Sequence, residues 1–419
     1  MPIFSAANIL LPDFKKTNGT LWSVVACDQY TSEPSYWEEV EKQVGNAPST
    51  LRLMLPEIYL GEGANRIPAI HAGVEQALRD TLIPHPDSMI YLERTLSDRT
   101  VRRGLIGKVD LEAYDYNRGS VSPIRATEGT VLSRIPPRVA VRRGAKLELP
   151  HVMLLIDDPQ KTVIEPLSAR SDGRLAYDFE LMQNGGHVRG TFLSADAQKE
   201  VVRALDALVK PETFGARYGD GSLAPLLFAV GDGNHSLASA KAYYEELKER
   251  LGDAALSHPA RYALAEIVNL HDDALAFEPI YRVLFDVDTD DLLGELRKYL
   301  AGLNGTAAPQ ALTAILSDRE VAMPVPHPCA QLAVGTLQSF LDAYLEKHPG
   351  VGIDYIHGED TVRSLVSEAP GRLGFLFSGM QKDDLFRTVL YDGALPRKTF
   401  SMGHAQDKRF YLECRKIDE

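Results

Sequence analysis

The sequence predicts an α/β fold in which a mixed sheet is flanked by helices. Two apolar runs of strand length, LWSVVA (21–26) and PLLFAV (225–230), are each followed by a polar turn and an amphipathic helical pattern. Between them, from about 100 to 195, β-rich runs alternate with turn residues. Strands and helices in this order pack as layers around one sheet, so we expect both apolar runs to lie in the same central sheet.

The beginning of the chain is predicted to form a strand, a polar loop and a helix. LWSVVA is the buried strand in this interpretation, and it leads into a polar loop that contains Asp28. The helix has the capping-box spacing of Ser35 and Glu38 at its start and Gly45 at its end. Its apolar stripe consists of Trp37, Val40 and Val44.

The α/β alternation continues, with a helical pattern over 73–82 and a strand over 88–96. Two longer segments, 150–167 and 175–193, each contain two β-rich runs around a turn. We therefore predict two hairpins in this part of the chain.

Helical patterns return over 197–209 and over 261–270. From about residue 288, helices and short strands alternate to the end of the chain. We therefore divide the sequence into an α/β core, residues 1–287, and a C-terminal lobe, residues 288–419. The core carries the Asp-Gly-Asn-His turn that follows PLLFAV.

The charge and the composition exclude several classes of protein. The 419 residues carry a net charge of −13, which repels a phosphate backbone, so a nucleic-acid partner is not expected. No apolar run has the length that a bilayer span requires, so no membrane association is expected. The N-terminal stretch MPIFSAANILLPDFKK lacks the basic start and apolar core of a secretion signal, which favours a cytoplasmic location.

The cysteines favour neither a disulfide framework nor a cysteine-rich zinc site. Cys27, Cys329 and Cys414 are odd in number, lie far apart and form no C-x-x-C pair. A reducing compartment fits this pattern.

One stretch is basic in this acidic chain. Residues 125–146 contain a single acid, Glu128, among six basic residues. The basic residues are Arg125, Arg134, Arg138, Arg142, Arg143 and Lys146. A local positive field can hold a small anion such as phosphate, and the alternative is a solvated face of strands.

The turn after PLLFAV carries the residues with the strongest indication of chemistry. It joins a buried strand to the N-terminus of a helix, where backbone N–H groups without partners and the positive end of the helix dipole favour an anion. Gly233 allows a close approach of the backbone to a ligand, and Asn234 or Ser236 can cap the helix. Capping leaves Asp232 and His235 unexplained. They either serve a ligand or shape the corner.

This turn matches neither of the common phosphate-binding fingerprints. The sequence contains no G-x-x-x-x-G-K-[ST], and G-x-G-x-x-G fails because residue 236 is serine. A metal phosphohydrolase built around His271, Asp272 and Asp273 would need further ligands at helical spacing, which we do not find. The turn is therefore the main candidate site.

Four segments of the chain resemble the bacterial family known as domain of unknown function 1015. GDGNHSLASAKAYYE is similar to the Asp-Gly-His-His-Arg turn of that family, and LWSVVACDQYTSEPSYW to its opening strand and loop. VNLHDDALAFEPIYRVLF resembles its segment that ends in Pro-Thr-His-Arg, and LPRKTFSMG its C-terminal basic stretch. The resemblance covers residues 21–403.

The turn is also similar to that of the ParB/sulfiredoxin-like fold. This fold includes archaeal free-serine kinases, in which the corresponding strand-to-helix turn binds nucleotide phosphates. The resemblance implies a ParB/sulfiredoxin-like phosphate-binding turn in this chain as an analogy of fold and motif.

The sequence departs from the family pattern at three positions. Asn234 replaces the first His of the turn, Ser236 replaces its Arg, and Tyr281 replaces the His before Arg282. The missing Arg would be a bidentate phosphate ligand whose charge Ser cannot supply. We therefore expect an arginine from another segment to supply it. The candidates are Arg125, Arg282 and Arg397.

The resemblance implies an uncharacterised protein that binds a nucleotide or another phosphorylated small molecule. ATP or ADP with Mg²⁺ is the expected cofactor, and a kinase-like transfer of a phosphoryl group to a small hydroxyl-bearing acceptor, such as a free amino acid, is the expected reaction. The alternative is a non-catalytic nucleotide-binding or sensing protein, because the arginine of the turn is lost.

Each residue of the turn has an expected role in this hypothesis. Asp232 is a base or a metal ligand, His235 donates to phosphate, and Asp28 is a second acid if its strand lies beside PLLFAV. The expected phosphate-binding residues are Gly233, Asn234, Ser236, Arg125, Arg282 and Arg397. The sequence does not identify metal ligands.

Overall fold

The computed structural model describes residues 2–219 and 221–418. The strands are β1 (Phe4–Ser5), β2 (Ala7–Pro12), β3 (Val24–Val25), β4 (Leu82–Ser88), β5 (Ile90–Thr95), β6 (Val101–Asp110), β7 (Tyr114–Asp115), β8 (Ile124–Ala126), β9 (Leu147–Glu148), β10 (Met153–Ile156), β11 (Arg174–Glu180), β12 (His187–Phe192), β13 (Phe228–Asp232), β14 (Tyr262–Asn269), β15 (Phe277–Phe285), β16 (Gln310–Ile315), β17 (Glu320–Val325), β18 (Gly352–His357), β19 (Leu373–Phe377), β20 (Phe400–Met402), β21 (Phe410–Tyr411) and β22 (Cys414–Lys416).

The α-helices are α1 (Gly19–Trp22), α2 (Pro34–Val44), α3 (Gly63–Asp80), α4 (Ile135–Arg142), α5 (Ala195–Leu208), α6 (Pro211–Tyr218), α7 (Asn234–Leu251), α8 (Thr289–Ala301), α9 (Ala333–Lys347), α10 (Glu359–Ser367) and α11 (Lys382–Asp392). Short 3₁₀ helices lie at Thr50–Arg52, Glu57–Glu62, Leu111–Ala113, Leu132–Arg134, Glu165–Ala169, Gly252–Ser257, Pro259–Arg261 and Ala405–Asp407. No helix of residues 2–219 or 221–418 is both long enough and apolar enough to cross a bilayer.

The chain forms two compact units. The first comprises Met1–Ala126, Thr130–Leu275 and Gly403–Glu419, and the second comprises Thr127–Gly129 and Ala276–Met402. The predicted lobe, in contrast, began at 288 and included the end of the chain. The end belongs to the first unit because β21 pairs with β3, and β22 pairs with β2 and β9.

A ten-stranded mixed sheet is the centre of the first unit. Its order is β11-β12-β5-β6-β14-β10-β13-β8-β7, and β1 pairs with β6. The pairs β10/β14, β13/β8 and β7/β8 are parallel, whereas the remaining pairs of this sheet are antiparallel. The predicted α/β class with a mixed sheet and flanking helices is therefore confirmed.

The prediction that LWSVVA and PLLFAV share a sheet is wrong. β13 lies in the ten-stranded sheet, whereas β3 pairs with β21 in a separate two-stranded sheet. Part of LWSVVA is not a strand, because Asn18 caps α1 by accepting hydrogen bonds from the N–H groups of Thr20 and Leu21. The buried Trp22 ends α1, and its Nε1 donates to the carbonyl oxygen of Leu412 at 2.9 Å.

The helix predicted over 261–270 is also wrong, since this segment forms β14. The strand lies between β6 and β10, and seven of its eight residues are buried. A strand that is covered on both faces has a nearly continuous apolar sequence, which periodicity alone does not distinguish from a buried helix.

Of the two predicted hairpins, 175–193 is confirmed and 150–167 is wrong. β11 and β12 pair antiparallel, as predicted. After β10, however, the second run forms the 3₁₀ helix Glu165–Ala169. The Asp158 carboxylate accepts from the N–H groups of Thr162 and Val163, which satisfies this loop without a partner strand.

The helix that follows β13 is anchored on the sheet by its apolar face, in agreement with the amphipathic pattern predicted after PLLFAV. On α7, Leu237, Ala240, Tyr244 and Leu247 are buried. The helix α4 packs on the same helix through the apolar contacts of Ile135, Val139 and Ala238. These contacts fix the N-terminus of α7 at the end of a central strand.

The second unit contains its own six-stranded sheet with the helices α8–α11. The strand order is β17-β16-β19-β15-β18, and β20 pairs with the N-terminal part of β15. Arg282 on β15 is fully buried inside this unit.

Candidate functional site

The turn between β13 and α7 is built around a left-handed glycine. Asp232 ends β13, Gly233 has φ +75° and ψ +27°, and Asn234 begins α7. The Gly233 N–H donates to Asp232 Oδ1 at 2.8 Å. A Cβ atom at residue 233 would lie 3.0 Å from the Cα of Val152, so the position requires glycine for its conformation and for space.

We expect Gly233→Ala to lower the free energy of unfolding by about 1 to 2 kcal/mol, because a left-handed conformation is costly with a Cβ atom. The contact with Val152 adds to this loss. Urea unfolding of the wild type and the variant measures it. Gly219→Ala is the matched control, since Gly219 also has φ +72° but its added Cβ would meet no atom within 4 Å. Equal losses in the two variants would show that space at residue 233 is not limiting.

His151 connects the turn to two other segments of the chain. Its Nε2 atom lies 2.9 Å from Ser236 Oγ and 3.9 Å from Asp28 Oδ2. Its Nδ1 atom lies 2.8 Å from the hydroxyl of Tyr411. His151 is buried, so its ring orientation is fixed by these contacts.

Asp28 reaches the turn even though its strand lies in another sheet. The pairing of β3 with β21 leaves the loop after β3 beside His151. Burial alone would raise the pKa of the Asp28 carboxyl, but His151, hydrogen bonds from Gln29 and the backbone, and Lys408 together lower that pKa below its ordinary value. Asp28 is therefore a carboxylate at neutral pH.

Lys408 supplies a cation to the same neighbourhood. Its Nζ atom lies 3.4 Å from Asp232 Oδ2, and its charge also lowers the pKa of Asp28. Lys408 comes just before β21, so the strand pair that positions Asp28 positions this lysine as well. The ammonium group thus pairs with Asp232, and its charge also acts on Asp28.

His235 is a neutral imidazole beside two arginines. Burial lowers the pKa of His235, and the charges of Arg138 and Arg134 lower it further against the opposing effect of Asp28. Its Nε2 atom accepts from the N–H group of Val131 at 3.4 Å. The basic stretch noted in the sequence therefore contributes positive charge near the turn through Arg134 and Arg138.

We expect the stability of the wild type to fall as the pH drops below about 6.5, the ordinary pKa of histidine. A lowered pKa means that the unfolded state takes up a proton at His235 before the folded state does, so acid favours unfolding. The His235→Gln variant should lose less stability between about pH 7.5 and about pH 5.5. Urea unfolding at several pH values measures the slopes, and equal slopes for the two proteins would contradict the lowered pKa.

The arginines expected to replace the missing cation are engaged elsewhere. The buried guanidinium of Arg125 donates to the carbonyl oxygens of Ser122, Ala224 and Pro225 at 2.8, 2.8 and 3.3 Å. It holds the loop before β13 and offers few donors to a ligand. Its role in binding phosphate stays a prediction without direct support.

Arg282 and Arg397 belong to the second unit and bind partners there. Arg282 donates to Gln338 at 2.9 Å and to the carbonyl oxygens of Arg397 and Lys398 at 3.0 Å. Arg397 donates to the Tyr355 hydroxyl and to the carboxylate of Asp342. Their expected phosphate-binding role likewise stays a prediction.

Asn234 and Cys27 complete the neighbourhood. Within residues 2–219 and 221–418, the buried Oδ1 atom of Asn234 has no hydrogen-bond partner. Burial and the charge of Asp28 raise the pKa of the Cys27 thiol to about 12, which disfavours the reactive thiolate. The Tyr411 hydroxyl lies 3.0 Å from Cys27 Sγ.

Sequence reasoning missed His151, Lys408 and Tyr411. All three reach the turn through pairings between distant segments, and none belongs to a motif with a fixed spacing. The basic stretch was a usable signal for Arg134 and Arg138, but the sequence did not show which of its arginines face the turn.

A protein-family model matches residues 11–364, and its description is "Protein of unknown function (DUF1015)". The chain belongs to this family. No curated protein matches the sequence.

Several solved structures are similar to the chain at low identity. A free serine kinase variant in complex with ADP is 11% identical with a TM-score of 0.37, over 74% of this chain and 91% of that one. A conserved hypothetical protein from Pyrococcus furiosus is 10% identical with a TM-score of 0.34, over 74% and 94%. C-terminally truncated SbnI from Staphylococcus aureus is 10% identical with a TM-score of 0.33, over 71% and 82%. Similarity this weak carries no conclusion about ligands.

Proposed function

We propose that this member of the family of unknown function binds the phosphate of a nucleotide, or of another phosphorylated small molecule, at the N-terminus of α7. The observation that carries the proposal is the position of Lys408 at this turn, with its Nζ atom 3.4 Å from Asp232 Oδ2, in a chain with a net charge of −13. The charges of Arg138 and Arg134 also act on His235 in the first turn of α7. The first N–H groups of α7 have no partners within the helix, and the helix dipole adds positive potential there. Both features favour a phosphate.

The acids around the turn support phosphoryl transfer as the reaction. A transferring phosphoryl group needs its charge neutralised and its acceptor hydroxyl oriented. Lys408 and the N–H groups of α7 serve the first need, and Asp232, Asp28 or His151 can take the proton of the acceptor hydroxyl. The carboxylates of Asp232 and Asp28 fit the preference of Mg²⁺ for oxygen ligands and would hold this ion, which would supply further neutralisation of the phosphate charge.

A non-catalytic nucleotide-binding or sensing protein is the second candidate function. The observation that favours it is the pairing of Lys408 with Asp232, which compensates the charge of this cation at the turn. Ser236, which occupies the arginine position of the family pattern, binds His151 and adds no charge. The cytoplasmic location and the ParB/sulfiredoxin-like character of the turn are part of both proposals.

We expect ADP and ATP to raise the melting temperature of the wild type, because a ligand that binds only the folded state stabilises it by mass action. At a free concentration of about 100 times Kd, the gain is about 2.7 kcal/mol. Thermal melts with nucleotide, with inorganic phosphate and with Mg²⁺ alone show how much each of them raises the melting temperature. Consumption of ATP in the presence of hydroxyl-bearing small molecules distinguishes transfer from binding. A melting temperature that no phosphorylated compound changes excludes both functions.

A further inference from the structure

A cavity in the first unit opens beside the turn. It has a volume of about 160 Å³, and Ser236 and His151 line it together with Tyr411. Ser236 lies in the first turn of α7, so the cavity reaches the helix end where the phosphate is proposed to bind. The remaining wall is largely apolar and includes Ile70 and Leu264.

The charged groups of the wall compensate one another. Arg138 is hydrogen-bonded to Glu57, and Arg142 lies 2.5 Å from Glu148. Glu148 also accepts from Arg415 at 2.6 Å. Arg138 and Arg142 each pair with a glutamate on the same wall, so a ligand with a net charge would lose its hydration and compete with an existing ion pair, which is costly. The wall therefore favours a neutral ligand.

The polar atoms of the cavity form one hydrogen-bonded chain. Ser236 Oγ lies 2.9 Å from His151 Nε2, and the Tyr411 hydroxyl oxygen lies 2.8 Å from His151 Nδ1 on the other side of the ring. Serine, tyrosine and imidazole can each donate or accept, so the chain can run in either direction. Both ring nitrogens of His151 are engaged in this chain, so a ligand hydroxyl, which both donates and accepts, can join it at the hydroxyl of Ser236 beside His151.

We infer that the cavity binds a small neutral alcohol, with its hydroxyl at Ser236 and His151 and its apolar body among the aliphatic side chains. A cavity of about 150 Å³ in another protein holds benzene, so a body of about six carbons fits the volume here. Binding of such an alcohol needs only the cavity itself.

We further infer that this alcohol is the phosphoryl acceptor, and this part of the inference rests on the proposed function. In that step the hydroxyl oxygen forms a bond to phosphorus, its proton moves to Ser236 Oγ, and the proton of the Ser236 hydroxyl moves to His151 Nε2. The bond from phosphorus to the bridging oxygen of the nucleoside triphosphate breaks, and the diphosphate leaves with the electron pair. Tyr411 holds the imidazole in place through Nδ1. A free amino acid, with two charges, fits this wall less well than a neutral alcohol.

The test uses 1-hexanol, hexanoate and L-serine as probes of the wild-type protein, with binding followed by saturation-transfer NMR. We expect a Kd for 1-hexanol in the millimolar range or below, and binding of hexanoate and of L-serine at least about tenfold weaker. Equal binding of the charged probes, or no binding of 1-hexanol up to its solubility limit, overturns the inference.

Two cavity variants and one control variant locate the probe. Ala240→Leu fills the cavity, since Ala240 lies on its wall, and should weaken 1-hexanol binding at least about tenfold. Ala195→Leu adds the same volume at an exposed position of α5 outside the cavity lining and should leave binding unchanged. Ser236→Ala should weaken 1-hexanol about fivefold by removing one hydrogen bond, which keeps the test decisive if Ala240→Leu does not fold.

Adding ADP to the same samples distinguishes failure of the phosphate-site proposal from failure of the cavity inference. Binding of 1-hexanol that Ala240→Leu abolishes supports the cavity site even if ADP does not bind, in which case the proposed function fails alone. Stabilisation by ADP without any binding of 1-hexanol leaves the phosphate site intact and overturns the cavity inference.

Discussion

Arg409→Met is expected to lower the free energy of unfolding by about 3 to 5 kcal/mol, because removing one partner of a buried ion pair leaves an uncompensated charge. The Arg409 guanidinium donates to Glu266 and to Glu413, each at 2.6 Å. All three side chains are almost completely buried. Methionine has a similar length but cannot compensate either carboxylate.

The lower stability of Arg409→Met should be accompanied by a displacement of residues at the candidate site. Arg409 follows Lys408, and its Nε atom donates to the carbonyl oxygen of Pro150, the residue before His151, at 3.0 Å. One guanidinium thus holds two segments that carry residues of the turn. We expect phosphate binding to weaken along with stability in this variant.

Urea unfolding of the wild type and of Arg409→Met gives the size of the effect. Arg319→Met is the matched control, since Arg319 is exposed and pairs only with its exposed neighbour Asp318 among the described residues, and its loss should stay below about 1 kcal/mol. A loss of less than about 1 kcal/mol in Arg409→Met would mean that Glu266 and Glu413 take up protons or water instead.

Lys408→Gln is expected to weaken the binding of ADP and of inorganic phosphate at least about tenfold, which corresponds to about 1.4 kcal/mol. The ammonium group is lost, while Asp232 and Asp28 remain and repel the incoming phosphate. Stability should change little, because Lys408 and Asp232 are both partly exposed.

Lys416→Gln is the control for net charge, since Lys416 is exposed on β22 and the same charge is removed. We expect its affinity for ADP to equal that of the wild type at about 0.15 M ionic strength, where distant charges are screened. Melting temperatures over a series of ADP concentrations give the affinities of all three proteins. An unchanged affinity in Lys408→Gln would place the phosphate away from this lysine.

The sequence was sufficient to predict the turn because the signals there are local. An apolar run, two glycines and a helical stripe within 225–251 determine a strand, a turn and a helix together. The buried stripe on α7 is confirmed by Leu237, Tyr244 and Leu247. Membership in the family of unknown function was also predictable, since its motifs extend along most of the chain.

The remaining parts of the site depend on contacts between distant segments. Asp28 was expected to reach the turn through a shared sheet, but it does so because β3 pairs with a strand near the end of the chain. The strand β14 was predicted as a helix because its sequence, buried at seven of eight residues, has no exposed polar face to reveal a period of two. Nothing local in Lys408 or Tyr411 indicates that β21 brings them to the turn.

Calorimetric titration of the wild type with ADP and with adenosine tests the central claim most directly. If the N-terminus of α7 binds the phosphate, ADP binds, and adenosine, which lacks phosphate, binds at least about tenfold more weakly. Equal affinity for the two compounds, or no heat from either at millimolar concentration, would contradict the claim that this helix end is a phosphate site.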